Sequence, residues 1–189
     1  MFCCILGMAQ AQFGKELLKN NRYQIGAAAF LSTSENLPFW LRTNQYGEVP
    51  LKSQFLQFSG SVHHEYDSLY TKERKLNKFG WGYGARAVAN VGKVNQFILS
   101  EGYLKARFSV FEIYAGRRKE IFGLVDTTLT SGSFTYSQNA LPIPQIKLYT
   151  PNYIPIISKG LVSLKASYSH GWFGEQEYLK KVMFHHKSL

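Results

Sequence analysis

The sequence predicts an all-β protein: an antiparallel transmembrane β-barrel present in part, about five or six strands of a larger barrel, with one long proline-rich loop. Three observations predict it. Segments of roughly ten residues alternate bulky apolar side chains with small, polar or charged ones, as strands between lipid and a wet lumen do. Aromatics are 15% of the chain and charged residues 18%, below the typical quarter of a soluble domain. No stretch approaches the run of about 20 apolar residues that a membrane helix needs.

Residues 1–11 read as the remnant of a signal peptide, an apolar start followed by Ala9-Gln10-Ala11 as an A-x-A cleavage site. The alternative is an ordinary N-terminal tail. Both cysteines, Cys3 and Cys4, lie there, so disulfide and metal-thiolate chemistry is excluded from the body of the chain. Residues 12–189 then form the N-terminal part of one outer-membrane β-barrel domain. Residues 15–22 fit a short periplasmic helix and residues 23–31 a weakly patterned first strand.

The second strand starts at Leu56, with Leu56, Phe58, Gly60 and Val62 opposite Gln57, Ser59, Ser61 and His63. The third is the clearest. Phe79, Trp81, Tyr83, Ala85, Ala87, Ala89 and Val91 share one face, while Gly80, Gly82, Gly84, Arg86, Val88 and Asn90 share the other. Residues 98–108 place Glu101, Tyr103, Lys105 and Arg107 inward, with Ser100 and Gly102 blurring the pattern, and residues 110–118 place Glu112, Tyr114, Gly116 and Arg118 inward. From Val162 a further strand sets Val162, Leu164, Ala166 and Tyr168 against Ser163, Lys165, Ser167 and Ser169. Between them, residues 123–159 hold four of the six prolines and read as a folded, extracellular loop. Residues 178–189 lack an alternating last strand.

Net charge is 22 − 12 = +10, which in an envelope protein points to anionic sugars or lipopolysaccharide phosphates. The basic residues are spread through strands and loops rather than gathered on a base-stacking platform, so nucleic acid is not the expected partner. Lumen-facing Arg86, Lys105, Arg107, Arg118 and Lys165 either contact a ligand or pair with Glu101 and Glu112 across adjacent strands. In the long loop, Tyr136, Asn139, Gln145, Tyr149, Asn152 and Tyr153 are of the types that stack on sugar faces and hydrogen-bond hydroxyls. The same types also pack loops.

Catalytic and metal constellations are thin. His63 and His64 fall on opposite faces of one strand, His185 and His186 read as surface, and Asp126 has no visible partner. The glycines of Gly80-Trp81-Gly82-Tyr83-Gly84 lie inside a strand pattern with no helix following, which removes a phosphate-loop reading. The expectation is a protein without catalytic residues, cofactor or metal.

Four stretches together resemble the Wzi-type capsule assembly family: Pro38-Phe39-Trp40-Leu41-Arg42-Thr43-Asn44-Gln45-Tyr46-Gly47, Gly80-Trp81-Gly82-Tyr83-Gly84, Tyr114-Ala115-Gly116-Arg117-Arg118, and Ser137-Gln138-Asn139-Ala140-Leu141-Pro142-Ile143-Pro144-Gln145-Ile146. The similarity runs over essentially all of the chain after residue 11, and the first and last stretches are its most specific parts. The resemblance implies a Gram-negative outer-membrane barrel, larger than this chain, that anchors or organises capsular polysaccharide at the cell surface as a lectin-like binder and meets the capsule export machinery. The expected carbohydrate-binding residues are Arg86, Arg107, Arg118, Lys165, Tyr136, Asn139 and Tyr149, with anionic capsular polysaccharide and outer-membrane lipid as partners. A porin-like channel for anionic solutes is the alternative, and an outer-membrane hydrolase stands behind both.

Overall fold

The computed structural model describes residues 21–66, 79–121, 126, 128–132, 136–157, 161–174 and 181–189. The signal remnant expected over 1–11 lies outside the described residues, as does most of the expected helix, and Asn21 and Arg22 open the first strand. Ten strands follow: β1 (Asn21–Phe30), β2 (Phe55–His64), β3 (Phe79–Gly92), β4 (Gln96–Phe108), β5 (Phe111–Arg117), β6 (Gln145–Tyr149), β7 (Ile154–Ile157), β8 (Val162–Leu164), β9 (Ser167–Trp172) and β10 (Met183–Ser188). Eight of them make one sheet in the order β1-β2-β3-β4-β5-β6-β9-β10, while β7 and β8 pair with each other. The order is open, with β1 and β10 at its ends, so the fold is all-β without a closed barrel among the described residues. The helical content there is a single 3-10 turn, Phe39–Leu41. Among the described residues no helix is long and apolar enough to cross a membrane, which says nothing of strands.

The chain forms two compact units, one of residues 1–63, 85–102 and 118–142, the other of 64–84, 103–117 and 143–189. In the first, Phe30, Leu37, Val49 and Phe55 make a small apolar core, with the Phe30 and Phe55 rings stacked at 4.7 Å. In the second, the packing is polar. Tyr103, Tyr114 and Tyr149 meet edge to face in succession at 6.4 and 6.1 Å. The Gln145 amide donates to the Tyr114 hydroxyl at 2.6 Å, and the Tyr149 hydroxyl donates to the Glu112 carboxylate. Lys105, almost wholly buried, pairs with Glu65, and both Lys105 and Arg107 lie over the Tyr66 ring at 4.5 and 4.2 Å.

The alternation in the sequence is realised with its polar half buried. In β3 Gly80, Gly82, Gly84, Val88 and Asn90 are buried while Phe79, Trp81 and Val91 are exposed. In β5 and β6, Glu112, Tyr114, Gln145 and Lys147 are buried while Phe111, Ile113, Ile146 and Leu148 are exposed. In β4 the pattern changes phase: Ile98 and Ser100 are buried, then Glu101, Tyr103, Lys105 and Arg107. Two adjacent buried residues, Ser100 and Glu101, are what a β-bulge leaves, and they explain the blurred pattern at Ser100 and Gly102.

Several expectations are corrected. The strand expected from Val162 breaks after Leu164: β8 is exposed along its length and turns away into the β7 hairpin, and β9 starts afresh at Ser167. The region 123–159 contains β6, which pairs with β5 and β9 in the main sheet, and Pro155 lies within β7. Among the described residues five to six strands become ten, because β6, β7 and β10 are added and the strand from Val162 is divided into β8 and β9. The chain end is also a strand, β10, in register with β9 from Met183 opposite Trp172 to Ser188 opposite Ser167.

The alternating glycines of β3 make room for side chains lying across the strand. A Cβ at Gly84 would stand 2.4 Å from the Tyr103 ring, and one at Gly82 would stand 2.6 Å from the His64 carbonyl and 2.8 Å from Lys105 Cε. Replacing Gly84 by Val is expected to displace Tyr103 and destabilise the fold by about 1–3 kcal/mol, the ordinary cost of overpacking. Gly60→Ala, on the open face of β2 with nothing within 4 Å, should be neutral. Urea unfolding of both variants in detergent checks this, and equal midpoints would contradict it.

Candidate functional site

Glu48 organises the first unit. It lies in the segment joining β1 to β2 and is almost fully buried, with a carboxylate that accepts two hydrogen bonds from Arg86 of β3, Nε at 2.9 Å and Nη2 at 3.2 Å, and another from Lys119 Nζ. Its backbone carbonyl accepts from Gln57 Nε2 at 3.1 Å and from Asn90 Nδ2 at 3.0 Å. Alternation explains the donors, since Gln57, Arg86 and Asn90 are the polar members of β2 and β3. Burial opposes the charged form of Glu48, yet the hydrogen bonds from Arg86 and Lys119 outweigh it and hold the carboxyl below its usual range.

The same segment is clasped to the loop before β6. The Tyr46 N–H donates to the Gln138 carbonyl at 2.7 Å, and the Asn44 N–H donates to Asn139 Oδ1 at 2.8 Å. Asn44 Nδ2 donates to the Thr130 carbonyl at 2.7 Å, and Asn139 Nδ2 to that of Ser131 at 3.1 Å. Asn44, Tyr46, Gly47 and Gln138 all adopt left-handed backbone, with φ of 58°, 51°, 70° and 60°. Gly47 and Asn44 tolerate it, whereas Tyr46 and Gln138 do not, so the clasp stores strain which the hydrogen bonds across it offset. The Tyr46 hydroxyl reaches the Glu120 carbonyl at 3.2 Å, and Lys119 Nζ lies 5.2 Å from the Tyr46 ring centroid. Burial, then the negative charges of Glu101 and Glu120, raise the Tyr46 phenol above its ordinary value. Burial and Glu120 do the same to Tyr136.

Beside Glu48 and Arg86 is a cleft of about 110 Å³, walled by Gly26, Gln24, Gln45, Gln57 and Ser59. Gly26 keeps it open, because a Cβ there would stand 2.8 Å from Ser59 Oγ. Its lining combines these amides and the Ser59 hydroxyl with apolar Ile25, Ala27 and Ala28 and with the paired charges of Glu48 and Arg86. Such a surface donates and accepts hydrogen bonds without carrying a net negative charge.

The expected binding residues divide between the units. Arg86, Arg118, Tyr136 and Asn139 belong to the first, and Arg107, Tyr149 and Lys165 to the second. Arg86 lines the cleft. Asn139 closes the clasp instead. Arg118 falls just past the end of β5, partly buried, so it is not a strand residue of the buried face. Arg107 is buried over Tyr66, and the Tyr149 phenol is engaged by Glu112. Lys165, expected to face inward, is exposed between β8 and β9, 5.7 Å from the Tyr153 ring centroid, because the strand that would have turned it inward is broken. Arg86 and Lys105 take Glu48 and Glu65 as partners, two loop carboxylates that alternation could not place. Gln24, Gln45 and Gln57 were not anticipated, and only the position of Gln57 opposite an apolar face signalled it.

Glu48→Gln removes the charge that neutralises Arg86 and Lys119. The expected loss is on the order of 2–4 kcal/mol, below the full cost of breaking a buried pair because both cations are partly exposed, 22% each. A depressed carboxylate stabilises the fold fully above its unfolded value and loses that contribution as pH falls through its folded one. The native protein should therefore lose stability on acidification into and below the carboxylate range, and the Gln variant should show a shallower acid limb. Denaturation midpoints between pH 7 and 3 check this; parallel curves would contradict it. No family model, curated protein or solved structure matches the chain.

Proposed function

We propose that the chain forms part of an outer-membrane β-barrel that binds capsular polysaccharide and holds or organises it at the cell surface, without catalysis. The observation that carries this reading is the clasp: the two most specific stretches of the Wzi-type resemblance, around Asn44-Gln45-Tyr46-Gly47 and Gln138-Asn139-Ala140, are hydrogen-bonded to one another beside the Glu48–Arg86 cleft. Segments that share a binding role gain from being fixed together on a rigid sheet.

The membrane placement is supported by the inversion of the strands. Phe97, Leu99, Leu104 and Phe108 of β4, and Ile146 and Leu148 of β6, are exposed while lysine, arginine and glutamate are buried, as in a sheet with lipid on one side and a polar lumen on the other. β3 and β4, at 14 and 13 residues, exceed the about 9–11 that a tilted strand needs to cross the hydrocarbon. The neutral amides and Ser59 of the cleft suit sugar hydroxyls, and its apolar wall of Ile25, Ala27 and Ala28 suits the apolar face of a sugar ring. The capsule export machinery is the natural partner on the periplasmic side.

In cells lacking the full-length gene, polysaccharide is expected in the medium at unchanged total, and Gln24→Ala with Gln45→Ala, two cleft-lining residues whose side chains do not hold Glu48, should give partial shedding while the protein remains at native level in the outer membrane. Immunoblotting of cell-bound and shed fractions reads this. Normal retention with slower uptake of a small anionic solute would overturn it in favour of the channel.

A further inference from the structure

The sheet brings together two histidines that lie fifteen positions apart in sequence. In the β9–β10 pair, His185 is directly opposite His170, and their ring centroids stand 6.0 Å apart at an interplanar angle of 69°. Directly opposed residues of an antiparallel pair project from the same face with Cβ atoms about 4.5–5.5 Å apart. Two imidazoles bound to one ion through nitrogens about 2 Å from it place their centroids roughly 5–6 Å apart. The separation of the two rings is therefore that of two imidazoles sharing one ion.

The surroundings fit a metal rather than a hydrogen-bonded core pair. Each ring is braced edge-on by an aromatic side chain, His185 by Tyr168 at 5.1 Å and His170 by Trp172 at 5.6 Å. Met183, opposite Trp172 on the same face as His185, is exposed and adds a thioether at the margin. From β6, the residues opposite His170 and Tyr168 are Ile146 and Leu148, so no charge reaches the pair from that strand. On its own strand the nearest cation is Lys187, opposite Tyr168. His186, adjacent in sequence, is opposite Ser169 and belongs to the other face.

We propose that His170 and His185, on the apolar face but flanked by Tyr168, Trp172 and Lys187 as side chains at a lipid–water interface are, chelate a divalent transition metal, interfacial water completing the coordination sphere, with copper(II) bound most tightly and zinc and nickel less so, as imidazole sites order them. The described residues hold no group of three or more His, Cys, Asp or Glu, so this is a two-imidazole site that fastens β10 to β9 across the sheet.

The test is calorimetric titration of the full 189-residue protein, folded in detergent, with copper(II) alone at pH 7.5. The proposal expects a single site that is weakened at least tenfold by His170→Gln and by His185→Gln and unchanged by His186→Gln. Nitrogen hyperfine structure from two imidazoles in the copper spectrum of the native protein, reduced to one in each variant, would support it even where a substitution loosens β10. No binding by the native protein, or equal loss in His186→Gln, would overturn it.

Discussion

Charge placed on the buried face of a sheet has to be neutralised where it sits, and this constraint governs the molecule. Lys105, Arg107, Glu112 and Lys147 are nearly inaccessible to water. An isolated ion there would cost several kcal/mol even after relaxation. The second unit meets the cost with Glu65 beneath Lys105, with tyrosine rings that face the cations, and with phenols that donate to carboxylates and accept from amides. In the first unit one residue serves two cations. Glu48 neutralises Arg86 and Lys119 together while its backbone satisfies Gln57 and Asn90.

The consequence for shape is that loops are not free to vary where they supply these partners. The segment from β1 to β2 has to enter the sheet far enough to deliver Glu48, and the left-handed residues Asn44, Tyr46 and Gly47 are the turn that delivers it. Glycines on β3 serve the same end from the other direction, since large polar side chains can lie across the sheet only where the strand beneath them has none. The cleft beside Arg86 is what remains once these demands are met. Its walls are apolar side chains, neutral hydrogen-bonding groups and the Glu48–Arg86 pair, whose charges are already spent on each other.

Much of this was legible in the sequence because a period of two is hard to disguise. β2, β3, β4 and β5 are where alternation placed them within a residue or two, and the face expected to be polar is the buried one. The rest was hidden for physical reasons. β6 is five residues between prolines, too short for a period to register, and β10 is so rich in histidine and lysine that its outward face does not read as apolar. The break after Leu164 occurs inside an unbroken alternation, because the β7 hairpin outcompetes continuation of the strand. Glu48 carries no local pattern, and its role depends on Arg86 and Lys119, 38 and 71 positions away. His170 and His185 become a pair only through register.

The account's central claim is that the apolar face of the sheet meets lipid while the charged face does not, and the phase change in β4 offers the sharpest test. Nitroxides placed one at a time along residues 96–108, in protein reconstituted into bilayers with Cys3 and Cys4 replaced, should show high oxygen and low nickel-chelate accessibility at Phe97, Leu99, Leu104 and Phe108. The period of two should slip by one residue between Ser100 and Glu101. Uniform access of the nickel chelate to Phe97, Leu99, Leu104 and Phe108 would contradict the claim and place both faces of the sheet in water.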